Sequence, residues 1–279
     1  MDHIAAGQAA CLSYDCISRG RFNPGPLAAT AFAQSPSILH GIFRTLVYHP
    51  GMKTLILSDL HLGSKHSHTK QILDILEREP FDRLILNGDT IHSLNLRKFK
   101  PGHWRVLDRL RTLARSREVI LLRGNHDHEG PGQEVGFGSQ EVLPTLLGVP
   151  MVEEYQLKVG DQPYLVLHGD RFDPILNHSV VSELAGWCYG LSQKFNKKLA
   201  KWLKKKSKKW SGVLEWIRAH SVRHAQEQGF VGVVTGHTHF ADSQHVGNIH
   251  YVNTGCWTEP PCAYAVAGNA GVQLHEVPD

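Results

Sequence analysis

Five cysteines in 279 residues is few, and the five (Cys11, Cys16, Cys188, Cys256 and Cys262) are odd in number and contain no Cys-x-x-Cys spacing. That excludes a disulfide framework and points to a reduced, cytoplasmic compartment. Nor does any apolar run approach the roughly 18 residues of a membrane span. Charge of one sign is scarce overall, with a net charge of only +4, but it is unevenly spread, with a dense lysine block near position 200. With 41% hydrophobic residues the composition is that of a globular protein able to bury a full core.

Residues 1–51 are rich in Ala, Ser, Gly and Pro and lack periodicity, and read as a flexible N-terminal extension. Leu27–Ala33 is too short and too far from Met1 for a signal-peptide core. Met52 stands directly before the first strand pattern, and the natural start is expected there.

The informative part is a repeated grammar: an apolar, partly β-branched run that ends abruptly in Asp, Asn or His. TLILSDLHLG ends in Asp59 and His61, RLILNGD in Asp89, and VILLRGNHD in Asn125, His126 and Asp127. YLVLHGD carries His168, and VGVVTGHTH carries His237 and His239. Such runs read as buried strands, and polar ligand types at their carboxyl ends read as a site. A single histidine pair near a turn is usually a surface feature; five strand ends of this kind point to one shared metal centre.

Between these runs lie helical patterns over 68–78 (Ile72, Ile75, Leu76), 103–115 (Trp104, Leu107, Leu110, Leu113) and 140–147, after a Gly-rich loop at 130–138. The segments 151–159 and 163–168 are expected to form a hairpin around Gly160 and Asp161, and the short strands 231–235, 243–254, 262–267 and 271–277 a second sheet beside the first. Residues 175–228 differ: Trp187, Leu191, Phe195, Leu199 and Trp202 recur at helical spacing among nine lysines between Lys194 and Lys209. They read as a basic helical cap inserted into the catalytic domain.

Two divalent cations about 3.5–4 Å apart clamp a phosphoryl group and acidify a bridging water. Such a centre needs a bridging carboxylate, hard oxygen ligands and neutral imidazoles, which are the residue types at these strand ends.

In this order, Asp-x-His (Asp59, His61), Gly-Asp (Asp89), Gly-Asn-His-Asp (Asn125, His126, Asp127), His-Gly-Asp (His168) and Gly-His-x-His (His237, His239), the chain resembles the calcineurin-like metallophosphoesterase superfamily over residues 53–277. The resemblance implies a four-layer αββα sandwich spanning 52–279 with the inserted cap. It also implies two metal sites, Asp59, His61, Asp89 and His239 for one ion and Asp89, Asn125, His168 and His237 for the other. His126 would face the phosphate and protonate the leaving oxygen, and Asp127 would orient its imidazole. The metals are expected to be Mn²⁺, with Fe or Zn suited to the same ligands.

The inserted basic helices resemble those of the bacterial UDP-2,3-diacylglucosamine pyrophosphatase group. The best-known lipid A enzymes of that group carry Arg where this chain has His126, so the chain sits with the GNHD-type relatives. That resemblance implies a phosphorylated small-molecule or lipid substrate, bound through Lys194, Lys197, Lys198, Lys201 and Trp202 of the cap, and peripheral contact with the inner membrane surface. The alternative is the same chemistry on cyclic nucleotides or nucleic acid, with the lysines as an electrostatic track. A further alternative is a non-catalytic metal-binding module. His66, His68, His92 and His128 read as solvated loop residues close to the motifs, and Cys256 and Trp257 fall where the last sheet returns towards the metals.

Overall fold

The computed structural model describes residues 51–93, 95–127, 139–174 and 208–278. The N-terminal extension, the Gly-rich loop and the cap residues Lys194, Lys197, Lys198, Lys201 and Trp202 lie outside the described residues.

Strands β1 (Thr54–Leu57), β2 (Arg83–Asn87) and β3 (Glu118–Leu122) run parallel at the centre of a six-stranded sheet. Its order is β11-β10-β1-β2-β3-β4, with β4 at Met151–Val152, β10 at Cys262–Gly268 and β11 at Gly271–Val277. A five-stranded sheet of order β5-β6-β7-β9-β8 faces it, from Glu154–Val159, Gln162–Leu167, Gly232–Thr235, Ile249–Thr254 and Ala241–Val246 respectively.

The period-2 alternation of side chains divides every central strand between two cores. Leu55, Leu57, Leu84, Leu86, Val119 and Leu121 point to helices α1 (Thr69–Arg78), α2 (Pro101–Ser116) and α3 (Ser139–Leu147). Ile56, Ile85, Ile120 and Leu122 point instead to Tyr164, Val166, Val234 and Val252 between the sheets. On the outer face of the second sheet Leu165, Leu167, Val233 and Tyr251 meet Val222 and Ala225 of helix α4 (Lys208–Glu227). Burial on both faces is why the parallel strands read as unbroken apolar runs. The layers are therefore α, β, β, α, the expected sandwich.

Several details depart from the sequence reading. The run 151–159 is not one hairpin strand: Met151–Val152 pairs with β3 in the first sheet, and the chain crosses at Glu153, held by Arg123 at 2.7 Å, to begin β5 in the second. Residues 243–254 are two strands of a hairpin turning at Gly247, not one. The last two strands do not join the second sheet. β10 runs antiparallel along β1, Thr54 facing Ala267, and so covers an edge that the parallel strands leave open. Trp104 is 45% exposed, the buried face of α2 being His103, Val106, Leu107, Leu110 and Leu113. Of the insertion expected over 175–228, residues 208–227 form α4 and lie against the second sheet as one of its layers.

Candidate metal centre

Each candidate side chain leaves the carboxyl end of a parallel strand: Asp59 and His61 after β1, Asp89 after β2, Asn125–Asp127 after β3, His168 after β6, and His237 and His239 after β7. The first pair of strands does not simply stop. Asp59 N–H donates to Gly88 O at 3.1 Å, His61 N–H to Asp89 O at 2.9 Å and Leu62 N–H to Thr90 O at 3.0 Å, so the two loops stay zipped while their side chains turn. The turning is done by the backbone. Among the described residues the non-glycine positions with positive φ are Asp59, His61, Asp89, His237 and His239, at 46° to 65°. Such a conformation costs on the order of 1–3 kcal/mol per residue and persists only where its surroundings enforce it. Here it swings five polar side chains to one side.

They converge closely. Asp59 Oδ1 lies 3.2 Å from His239 Nε2 and 3.8 Å from His61 Nε2, and the two imidazole nitrogens are 3.1 Å apart. Asp89 faces both halves of the site, with Oδ2 3.7 Å from His61 Nε2 and Oδ1 3.5 Å from His168 Nε2. Asn125 Oδ1 lies 2.8 Å from His237 Nδ1. The glycines of the motifs make room for this. A Cβ on Gly124 would fall on Asp89 Oδ1 and stand 2.9 Å from His168 Nε2, and one on Gly236 would stand 2.6 Å from Asp59 Oδ2.

The electrostatics are those of two buried anions needing positive charge. Burial opposes ionisation of Asp59, but His168 and a hydrogen bond with His239 outweigh it and hold the carboxyl at about 2. Burial likewise opposes ionisation of Asp89, and His168 holds it well below the usual range. Burial pushes His61 down to about 3. For His239 the Asp59 contact overcomes burial and raises the imidazole to about 10, and the two aspartates raise His168 in the same way.

The donor set fits cations. Asp59 Oδ1 and His168 Nε2 are buried and turned towards the other members of the cluster. Geometrically, Asp59, His61 and His239 form one group able to hold a metal ion and Asp59, Asp89 and His168 another. The rings are oriented for it. His168 Nδ1 donates to Asn87 O at 2.8 Å, which turns Nε2 towards Asp89. His237 Nε2 lies 2.8 Å from Asp173 Oδ2 and Nδ1 2.8 Å from Asn125 Oδ1, so both ring nitrogens are held by oxygen acceptors.

His126 sits at the open side of the cluster, its side chain 35% exposed, with Nε2 4.0 Å from Asp89 Oδ2 and Nδ1 3.3 Å from His92 O. Asp127 is not placed to orient it. The Asp127 carboxylate is fully buried and accepts the amide N–H groups of Asp89 and Gly124, both at 2.9 Å, so it braces the loops behind the cluster. Burial and the charge of Asp89 push it up to about 7.

Two residues that belong here were not singled out from the sequence. His92, read as a loop histidine, packs 5.4 Å from the His61 ring and 4.9 Å from that of His126. Burial depresses it to about 4, which keeps it neutral. Its place three residues after Asp89 was the available signal. Asp173 had none, since it reaches His237 only through the turn 170–172 that follows β6. Of the pair Cys256 and Trp257, the thiol hydrogen-bonds His239, whereas Trp257 is wholly buried in the helix-side core and meets the site only through its backbone N–H to Asp59 O, at 3.1 Å.

The chain is similar to several known proteins. Coxiella burnetii UDP-2,3-diacylglucosamine hydrolase is 25% identical over 203 residues, which cover 67% of this chain and 80% of that protein. Among solved structures, the phosphoesterase YfcE from E. coli is 20% identical with a TM-score of 0.44, covering 77% of this chain and 87% of its own. An archaeal phosphodiesterase is 17% identical with a TM-score of 0.43, covering 81% and 100% respectively. The family model of calcineurin-like phosphoesterases matches residues 52–241, a span that contains all five strand ends, so the chain belongs to that family and is a metal-dependent phosphoesterase.

Proposed function

We propose that the protein is a two-metal hydrolase of phosphoric ester or anhydride bonds, with a nucleotide-lipid pyrophosphate such as UDP-2,3-diacylglucosamine as the favoured substrate. The observation that carries the two-metal reading is Asp89, whose two carboxylate oxygens face imidazole nitrogens of different halves of the site. Asp59, His61, Asp89 and His239 would hold one ion, and Asp89, Asn125, His168 and His237 the other. Their nitrogen and oxygen donors suit Mn²⁺, and Fe or Zn equally. Such ions, when bound, supply Lewis acidity towards the phosphoryl oxygens and an acidified water.

The remaining chemistry is the chain's own. His126, partly open to solvent and anchored through Nδ1 to His92 O, directs Nε2 to where a phosphoryl group would lie against Asp89. As an imidazolium it donates that proton to the leaving oxygen, a step worth typically 10²–10⁴-fold. His92, kept neutral, packs 4.9 Å from the His126 ring and walls that side. The similarity to a UDP-2,3-diacylglucosamine hydrolase supports the substrate.

The test is hydrolysis in added Mn²⁺ of UDP-2,3-diacylglucosamine, bis(p-nitrophenyl) phosphate and a phosphate monoester in parallel, with His126→Ala as control. Release of UMP from the lipid supports the reading. Cleavage of the diester alone removes the lipid substrate and leaves a phosphodiesterase of cyclic nucleotides or nucleic acid. No hydrolysis of any, together with no retained metal, leaves a binding module.

A further inference from the structure

The segment 95–105, which follows β2 and the loop through His92, has an unusual surface. Among the described residues only Leu96, Trp104 and Trp216 are large apolar side chains with much exposed area, and two of the three fall here, at 58% and 45% exposure. Around them stand Arg97, Lys98, Lys100 and Arg105, all exposed, and no acidic residue occurs between His92 and Asp108. None of the four cations forms an ion pair with a described residue, although arginines elsewhere, such as Arg83, Arg123, Arg171 and Arg218, do.

The segment is also rigidly based. Leu96–Lys98 is a single 3-10 turn whose start is capped by Asn95 Oδ1, accepting from Arg97 N–H at 3.2 Å. Phe99 is buried and plugs the turn into the body of the protein, close enough to Gly63 that a Cβ there would overlap its ring. The Trp104 ring lies 5.1 Å from that of Phe99, tilted 45° to it, and keeps almost half of its surface exposed. Gly63, on which Phe99 packs, is two residues beyond His61, so the surface adjoins the metal centre.

An exposed aliphatic and an exposed indole set among unpaired cations on a fixed turn have the chemistry of an interfacial anchor: the apolar side chains enter the acyl boundary while the cations meet lipid phosphates. We propose that residues 95–105 are a docking surface for an anionic lipid bilayer, which sets the metal centre at the membrane interface. Lipid is favoured over nucleic acid because Leu96, the most exposed of the large apolar residues, offers nothing to a stacked base. The proposal concerns where the protein docks and stands whatever substrate it cleaves.

The test is co-sedimentation of the full chain with vesicles of phosphatidylcholine, with and without an equal part of phosphatidylglycerol. The parent protein is expected to bind the anionic vesicles and not the neutral ones. Leu96→Ser/Trp104→Ser and Arg97→Gln/Lys98→Gln/Arg105→Gln are each expected to weaken that binding by about tenfold or more. Thermal unfolding checks that each variant folds, and if the apolar pair fails, the charge variant decides, since its three side chains are exposed. Undiminished binding by the folded variants, no binding by the parent, or loss of single-stranded DNA binding in place of vesicle binding would overturn the proposal.

Discussion

Asp173 Oδ2 lies 2.8 Å from Nε2 of His237, and both side chains are only 10% exposed. The contact fixes the His237 ring with Nδ1 turned to Asn125 Oδ1, 2.8 Å away. Replacing Asp173 with Ala is expected to weaken metal binding by about 10–100-fold, with Asn restoring part of the loss because it still accepts the N–H. Metal titration of the purified variants checks this. Equal affinity in Asp173→Ala and the parent protein would show that the contact is incidental.

His126 and Asp89, whose Nε2 and Oδ2 lie 4.0 Å apart at the open side, should part company under mutation. His126→Ala is expected to lower turnover by about 10²–10⁴-fold while retaining its metal, whereas Asp89→Ala should lose metal outright. Metal analysis beside kcat separates the two. If both variants emerge equally depleted of metal, His126 is a ligand and not a proton donor.

Gly124 tests the packing of the site without removing a polar group. Gly124→Ala puts a methyl onto Asp89 Oδ1 and against His168, and is expected to destabilise the fold by about 1–3 kcal/mol and to abolish most activity. An unfolding midpoint and activity both unchanged would mean that the two loops separate freely.

Away from the site, His250 gives the protein an acid sensitivity. Burial, and then the nearby His245, lower its pKa from 6.5. The native state therefore holds this proton more weakly than the unfolded chain does. The unfolded chain binds more protons below pH 6.5, so the His250 contribution to stability is present above that pH and is lost as the pH falls through the window beneath it. Urea midpoints at neutral and mildly acidic pH should converge more in His250→Gln than in the parent protein. An identical acid slope in both would remove His250 as a source.

The legible parts of the chain were those where one physical rule acts alone. Leu84, Ile85 and Leu86 announce a strand because both of its faces are buried, and Asp59, Asp89 and His168 stand out because polar residues directly end such runs. Where a residue's partner comes from another element, the sequence was mute. Glu153 looks like any polar residue in a strand until Arg123 fixes it at the crossing between sheets. Asp127 sits beside His126 in the chain, and the family resemblance implied a partnership, but its carboxylate accepts the amides of Asp89 and Gly124. The destination of β10 depended on an open edge some two hundred residues earlier in the chain, which no local pattern encodes.

The left-handed backbone at Asp59, His61, Asp89, His237 and His239 sets the protein's interest in persisting against its interest in working. Glycine adopts that conformation freely, so at each of these positions the residue that the backbone prefers is one that can do no chemistry. Selection for stability alone would erase the site one glycine at a time while leaving the sandwich intact, and a hardened, inert descendant lies a few substitutions away.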